Sequence, residues 1–365
     1  MRRKWLLVLV ALVFLVSGCA QKPPPAKPMS LVSAQGTDFM IGGKPLRFVG
    51  AFTFPTMTQF LYEKWRLPNY KKNIDQYFES LPPNVNVIRV FTFGPYIQNF
   101  HGFKEPNWQT LDYMVKSAEA HGVYIIWVLY DCWDYSPTGV LPNYNYEFWR
   151  DNGARQIILA QVARYSNSPA IFAWELINEG DTQAKDDTER EEILRWVDDV
   201  SSAIRAIDSN HLISTGFSNE DLRELKFKYP DAYPTRRDWI LRVHDLTNID
   251  FVTFHAYGGP PDLQTDASFF TDRFRSEVSW YFDEMTRVRS DLGKPIIAEE
   301  FGTQRQVGEP VRRQVYELYF GQLLVHKISG LFNLWADDKT PQSCSIYTYD
   351  EEYGTIKDAA ARIKN

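Results

Sequence analysis

Eight short, nearly continuous apolar runs recur along the chain and alternate with longer segments of helical spacing. They cover residues 47–52, 86–91, 123–130, 170–177, 212–215, 251–255, 295–300 and 331–335. Runs without polar alternation are expected of parallel strands buried on both faces. Between them, 107–120 places Trp108, Leu111, Met114, Val115 and Ala118 on one face of a helix. The segment 188–207 opens with Thr188 and Glu191 as a capping box and with acids near its positive dipole end. Segments 269–292 and 311–328 are the other long helices. This alternation leaves a closed βα barrel or a doubly wound sheet. No glycine-rich phosphate loop follows the first strand, which disfavours the nucleotide-binding sheet. The expected fold is therefore a (β/α)₈ TIM barrel, one domain over 36–365. Segments 38–41 and 47–49, joined by Gly42-Gly43-Lys44, read as a hairpin closing its bottom.

The first residues stand outside that pattern. Arg2, Arg3 and Lys4 precede an uninterrupted apolar stretch, Leu6 to Val16. This is too short to span a bilayer comfortably and fits an export signal, residues 1–18. Val16-Ser17-Gly18-Cys19 resembles the lipobox of bacterial lipoproteins. The resemblance implies cleavage before Cys19, lipidation of its thiol and a cell-envelope location, facing the periplasm or the outer surface. Cleavage would move the formal charge from −6 to −9. Residues 19–35 include four prolines within Gln21–Pro28, a stiff tether extending ~3.1 Å per residue. An exported compartment permits a disulfide between Cys132 and Cys344, but two free thiols are equally compatible.

Acidic composition, with a pI near 5.6, offers no basic stripe for a nucleic acid. Eleven Trp, 20 Tyr and 24 Phe suit sugar binding, where flat rings stack on pyranose C–H faces. Two of the apolar runs end in carboxylates. One reads Ala173-Trp174-Glu175-Leu176-Ile177-Asn178-Glu179, the other Pro295-Ile296-Ile297-Ala298-Glu299-Glu300-Phe301-Gly302. Barrel enzymes place working residues at the C-terminal strand ends. A charge finishing a buried strand costs desolvation unless paired or functional. Each acid alone reads equally well as a structural ion-pair partner; together they suggest paired-carboxylate chemistry.

Those two stretches resemble the catalytic motifs of glycoside hydrolase family 5. The similarity runs from about residue 36 to 340 and includes Val87-Ile88-Arg89-Val90, Phe254-His255-Ala256-Tyr257 and Leu334-Trp335. It implies a retaining hydrolase of β-linked polysaccharide, with Glu179 as general acid/base and Glu300 as nucleophile. Glu300 is preferred to Glu299 on the family's Glu-aromatic-Gly pattern, and strand alternation would turn Glu299 to the opposite side. By the same resemblance Asn178 binds the sugar 2-OH, Arg89 and Tyr257 orient the nucleophile, and His255 lies near the cleavage point. Trp335 floors the −1 subsite. Asp131-Cys132-Trp133-Asp134-Tyr135 and Gly293-Lys294-Pro295 look most like the endo-β-1,4-mannanase branch. Gly180, where proline commonly follows the acid/base, and Asp131-Cys132 depart from that pattern and leave β-1,4-glucan or another β-linked exopolysaccharide as alternative substrates.

Other residues carry plainer readings. Tyr130, Trp133 and Tyr135 are candidate sugar platforms, whereas Trp108 is core and His121 a helix-end residue. Glu175 is a structural acid satisfied by a neighbouring strand. The run 181–199 is a solvated acidic helix entry, and 217–238, with Arg236 and Arg237, reads equally as a cleft wall or as decoration. A non-catalytic sugar-binding lipoprotein would be expected to lack an acid or its supports, yet all are present. No HExxH, and no pair of histidines one residue apart, supplies a metal site. The chain is expected to need no cofactor, to bind a poly- or oligosaccharide, and to meet a membrane only through its lipid.

Overall fold

The chain enters through three short antiparallel strands, β1 (Val32–Gln35), β2 (Asp38–Ile41) and β3 (Lys44–Leu46). The structure, a computed structural model, describes residues 28–52, 70–91, 108–130, 154–257, 267–333 and 352–364. After β4 (Val49–Phe52) come α1 (Tyr70–Ser80), β5 (Val87–Phe91), α2 (Trp108–His121) and β6 (Tyr124–Val128). Then follow α3 (Ala154–Tyr165), β7 (Ile171–Glu175), α4 (Asp187–Ile207), β8 (Leu212–Ser214), α5 (Asp221–Lys228) and α6 (Tyr233–His244). The chain continues through β9 (Val252–Tyr257), α7 (Asp272–Leu292), β10 (Ile296–Gly302), α8 (Glu309–His326), β11 (Ser329–Asn333) and α9 (Glu352–Lys364).

Strands β4 to β11 pair in parallel in the order β8-β7-β6-β5-β4-β11-β10-β9. A parallel bridge between Ser214 and Phe251 joins the two outer strands and closes the cycle. The result is the (β/α)₈ barrel expected from the alternation of runs. All eight strands fall on the expected segments. The observed ladders stop short of some expected ends, because the chain past Glu175 turns into the site while still donating from Leu176 and Ile177 to carbonyls of Ser214 and Thr215.

The entry hairpin differs from expectation. Gly42 and Gly43 both have positive φ, 54° and 76°, so two residues suffice for the turn. Its return strand starts at Lys44 rather than Arg47, and Val49 opens the barrel instead. Phe39 of β2 meets the rings of Phe48, Phe172 and Phe251 at centroid distances of 5.2–6.3 Å. These lie at strand starts, so the hairpin plugs the barrel's bottom.

Alternation then sorts the barrel strands into two shells. Ile88, Val90, Ile125 and Trp127 face the helices, while Val87, Ile126, Val128, Ile297 and Leu331 pack the interior. The interior is a filled core, apolar below and charged in its top layer, where Arg89, Glu175, Glu299 and Glu300 are buried. That layer is the site.

Two local expectations are corrected. Helix α4 is capped by Asp186, which accepts from Glu189 N, while Glu189 accepts from Lys185 N. The box therefore lies two residues before Thr188 and Glu191, and Glu191 instead forms a two-pronged ion pair with Arg242 of α6. Asp181, expected to be solvated, is buried; it accepts from Ser218 N, Asn219 N and Arg236 Nη2, each at 2.9 Å. Arg236 also binds Asp221, and Arg237 binds Glu284 and Asp291. Both arginines thus bind acids of the protein.

His244 supplies a pH test of stability. Its Nδ1 donates to Ile240 O at 2.8 Å, leaving Nε2 to accept from the Thr215 hydroxyl at 3.0 Å. Burial pushes its pKa down from 6.5 to about 4. The unfolded chain therefore takes up a proton between those values and the folded one does not. His244 contributes stability above pH 6.5 that is lost as pH falls towards 4, on the order of 3 kcal/mol in all. Urea unfolding at pH 7 and pH 4.5 should show a smaller acid loss in His244→Gln than in the wild type.

Candidate active site

Arg89 organises the top layer. It lies on β5 with its side chain wholly buried, its guanidinium 4.8 Å from the Phe91 ring centroid. Its Nε donates to Glu175 Oε2 at 2.9 Å and its Nη2 to Glu175 Oε1. Nη2 also donates to Asn178 Oδ1 at 2.8 Å, and Nη1 donates to Glu300 Oε1. The planar fork thus ties β5 to β7 and β10 in a fixed geometry that a lysine could not reproduce. Burial works to lower its pKa, but the acids packed around it, Glu175 foremost, outweigh it and hold the pKa well above the usual value. Glu175 is structural, as its sequence position implies, but its partner lies on β5, two strands away across the barrel interior, and not on a neighbouring strand.

Glu300 of β10 takes its second hydrogen bond from the Tyr257 hydroxyl, 2.6 Å from Oε2. Both its oxygens therefore face donors. Glu179 approaches from the other side. It follows β7 with φ 53° and ψ 27°, a left-handed conformation unusual for a non-glycine residue. Its N–H donates to Gly216 O at 2.8 Å, and its carbonyl accepts from Thr182 N at 3.0 Å. These bonds hold the turned backbone, which aims the carboxyl back over the barrel mouth; strain of this kind concentrates at functional positions. A Cβ on Gly180 would lie 2.8 Å from Ile177 Cγ2, so the residue after Glu179 has little room for a side chain.

His255 of β9 bridges the two acids. Its Nδ1 is 2.6 Å from Glu179 Oε1, and its Nε2 is 3.9 Å from Glu300 Oε1. Burial favours the neutral ring, but the Glu300 charge and the bond and charge of Glu179 raise its pKa above the ordinary value. One side-chain atom from each of Glu179, His255 and Glu300 lies within 4.8 Å of the others. Three such groups could in principle ligate a cation. Here Arg89 contacts Glu300 directly, Tyr257 holds its other oxygen, and Nδ1 is engaged with Glu179. The donors present suit protons and sugar hydroxyls better than a metal.

The double acid of β10 departs from simple alternation. Ala298 pairs with Phe254 and Glu300 with His255, leaving Glu299 as an extra residue in a bulge. Glu299 therefore does not turn to the opposite side of the strand. It is fully buried, with Oε2 3.7 Å from Arg89 Nε. Burial first, then the charge of Glu175, pushes its pKa well up against the opposing pull of Arg89.

Glu220 is an acid that the sequence reading passed over. It follows Asn219, another left-handed residue with φ 51°. Burial pushes its carboxyl up to about 8 against the charge of Arg223, and the charges of Glu179 and His255 also act on it. In sequence it looks like an ordinary acid at a helix start; only the turn after β8 carries it beside the site.

Gly216 gives a local test. It has φ +78°, and a Cβ there would sit 2.4 Å from both Glu175 Oε1 and Ile177 O. Gly216→Ala is expected to lower stability by more than about 1 kcal/mol and, by pushing Glu175 off Arg89, to reduce kcat. Thermal melts and steady-state kinetics on the same preparation check both.

The sequence-expected residues Arg89, Asn178, Glu179, His255, Tyr257 and Glu300 are brought together. Tyr130, two residues past β6, is fully buried, and its carbonyl accepts from Asn178 N at 2.9 Å. Cys19, Cys132, Trp133, Tyr135, Trp335 and Cys344 lie outside the described residues.

A family model described as cellulase (glycosyl hydrolase family 5) matches residues 46–336. Mannan endo-1,4-beta-mannosidase A of Podospora anserina is 34% identical over 205 residues, 53% of this chain and 50% of that protein. The chain thus spans about half the length of that relative. A probable mannan endo-1,4-beta-mannosidase A of Aspergillus oryzae is 30% identical over 311 residues, 76% of this chain and 73% of that one. The crystal structure of an endo-1,4-beta-mannanase from Rhizomucor miehei superposes with a TM-score of 0.67 at 21% identity. It covers 92% of this chain and 99% of its own, a likeness of fold.

Proposed function

The chain belongs to glycosyl hydrolase family 5, and on that premise we propose that it hydrolyses a β-1,4-mannan by double displacement with retention of configuration. The observation carrying the proposal is the opposition of Glu179 and Glu300 across the barrel mouth, with side-chain atoms within 4.8 Å. Retaining hydrolases need carboxyl groups ~5–5.5 Å apart, close enough for both to act on one anomeric carbon. An inverting enzyme needs a wider gap to admit water.

In this reading Glu300 attacks the anomeric carbon while Glu179 protonates the departing oxygen. Arg89 and Tyr257 orient the attacking carboxylate. Its charge disappears when the glycosyl ester forms, which lowers the proton affinity of Glu179 and readies it to deprotonate water. Asn178, held by Arg89, meets the sugar 2-OH, a contact that strengthens towards the oxocarbenium-like transition state. His255 steers the Glu179 carboxyl. Trp335 supplies the −1 floor and Trp133 a stacking surface in the same reading.

Substrate identity rests on the mannosidase relatives, with β-1,4-glucan the alternative that the cellulase description of the family favours. The soluble fragment lacking residues 1–19 is to be assayed on mannan, glucomannan, cellulose oligomers and xylan. Fastest release is expected from mannan, with the β-anomer of the new reducing end appearing first by ¹H NMR. A first-formed α-anomer would rule out double displacement.

Residues 1–18 are proposed as the export signal, Cys19 as the lipidated residue and 19–35 as the tether of a catalytic domain over 36–365. The supporting observation is the lipobox-like Val16-Ser17-Gly18-Cys19. Labelled palmitate should enter the wild-type chain in cells and not Cys19→Ala; equal labelling of both would refute it.

A further inference from the structure

We propose that Glu299 is a positioning residue that carries a proton and donates it to Glu175, so that the two acids hold a single negative charge beneath Glu300. The proposal rests on the reading of Glu300 as nucleophile and extends it to the layer below.

Three carboxyl groups, Glu175, Glu299 and Glu300, surround one guanidinium, and all four side chains are removed from water. Were every acid ionised, Arg89 would leave two negative charges uncompensated in a medium that penalises even one. The hydrogen bonds show where the proton belongs. Both oxygens of Glu175 and one of Glu300 accept from Arg89, and the other oxygen of Glu300 accepts from Tyr257. Neither oxygen of Glu299 receives a hydrogen from another residue. Arg89 Nε, 3.7 Å away, is spent on Glu175. After burial, the Glu175 charge acts most strongly on Glu299, and two neighbouring buried acids can hold a single negative charge only if one of them keeps its proton. An O–H on Glu299 aimed at Glu175 satisfies both.

The charged groups acting most strongly on Glu299 are Glu175, Arg89 and Glu300. On β9, His255 is engaged with Glu179 and Tyr257 with Glu300. The interior residues of β4, β6 and β11 in this region, Phe52, Val128 and Leu331, are apolar. Like charges this close titrate as a pair, one acid strongly raised. The consequence for chemistry is that Arg89 is neutralised once, by the pair, and faces Glu300 with a fixed field. A second ionised acid there would repel negative charge from Glu300 and hinder its ionisation.

The test combines a direct count of the proton with a pH profile. Infrared spectra of the folded protein at pH 7 should contain a protonated-carboxyl band that loses one group's intensity in Glu299→Gln. In the acid limb of kcat/KM on an aryl β-mannobioside, Glu299→Gln retains Glu175 as the ion, and Glu175→Gln lets Glu299 become it. Each single variant should therefore leave the limb midpoint within about 0.3 unit of wild type, whatever its kcat. The double variant, with Arg89 uncompensated, should move the midpoint down by about one unit. Unchanged infrared intensity in Glu299→Gln, or an equal downward shift in each single variant, would overturn the proposal. The infrared count needs no turnover, so it stands apart from the nucleophile assignment, which fails separately if Glu300→Ala keeps its activity.

Discussion

Glu300→Ala is expected to lower kcat by a factor on the order of 10⁴–10⁶ while leaving the protein folded and able to bind sugar, and Glu179→Ala to do the same on natural substrates. The two losses differ in kind. Removing Glu300 opens a space on the face where the glycosyl ester would form, while Glu179 can still protonate a leaving group. Azide entering that space should yield an α-glycosyl azide from a β-linked aryl substrate. Removing Glu179 leaves the nucleophile, so an activated aryl glycoside still forms the ester, and azide should then give the β-azide. Product NMR separates the outcomes. Near-wild-type turnover by either variant, or the same azide anomer from both, would falsify the assignment of roles.

Arg89→Met should have the second large effect, on stability as well as rate. The side chain is fully buried and hydrogen-bonds Glu175, Asn178 and Glu300 at once. Removing one partner of a buried ion pair leaves uncompensated charge and costs about 3–5 kcal/mol. The remaining acids would avoid part of that cost by taking up protons, and protonated Glu300 is a poor nucleophile. Loss of stability should therefore shrink at low pH, where the unfolded chain takes up protons as well and neutralising the variant's buried acids costs less, while activity stays low throughout. Denaturant titrations at pH 4.5 and pH 7 check this; an equal penalty at both would show that the cluster bears no excess charge. Arg89→Lys keeps the charge but not the fork, and is expected to recover stability more than kcat.

Much of this was legible in the chain. The eight apolar runs located the barrel strands to within a few residues, because strands buried on both faces leave no room for polar alternation. The acids at the ends of β7 and β10 marked the site, since charge at the end of a buried run demands a partner. Glu175 was read as structural for the same reason and is bonded to Arg89. Where the reading depended on one residue of register, it failed. Alternation assigned Glu299 to the wrong side because nothing in Ala298-Glu299-Glu300 announces a bulge. Thr188 and Glu191 have the spacing of a capping box, but the helix begins at Asp187 and Asp186 caps it.

Sequence by itself determined the strand and helix succession, and so the barrel, because hydrophobic period is a local property of neighbouring residues. It also determined which residue types finish the strands. Tertiary structure decided which acids share a space, which one Arg89 neutralises, and that Glu220 and Asp181 are drawn in from segments that read as surface. Burial and charge compensation depend on groups more than eighty residues apart in the chain, as Arg89 and Glu175 are. Such a pairing exists only once the barrel closes.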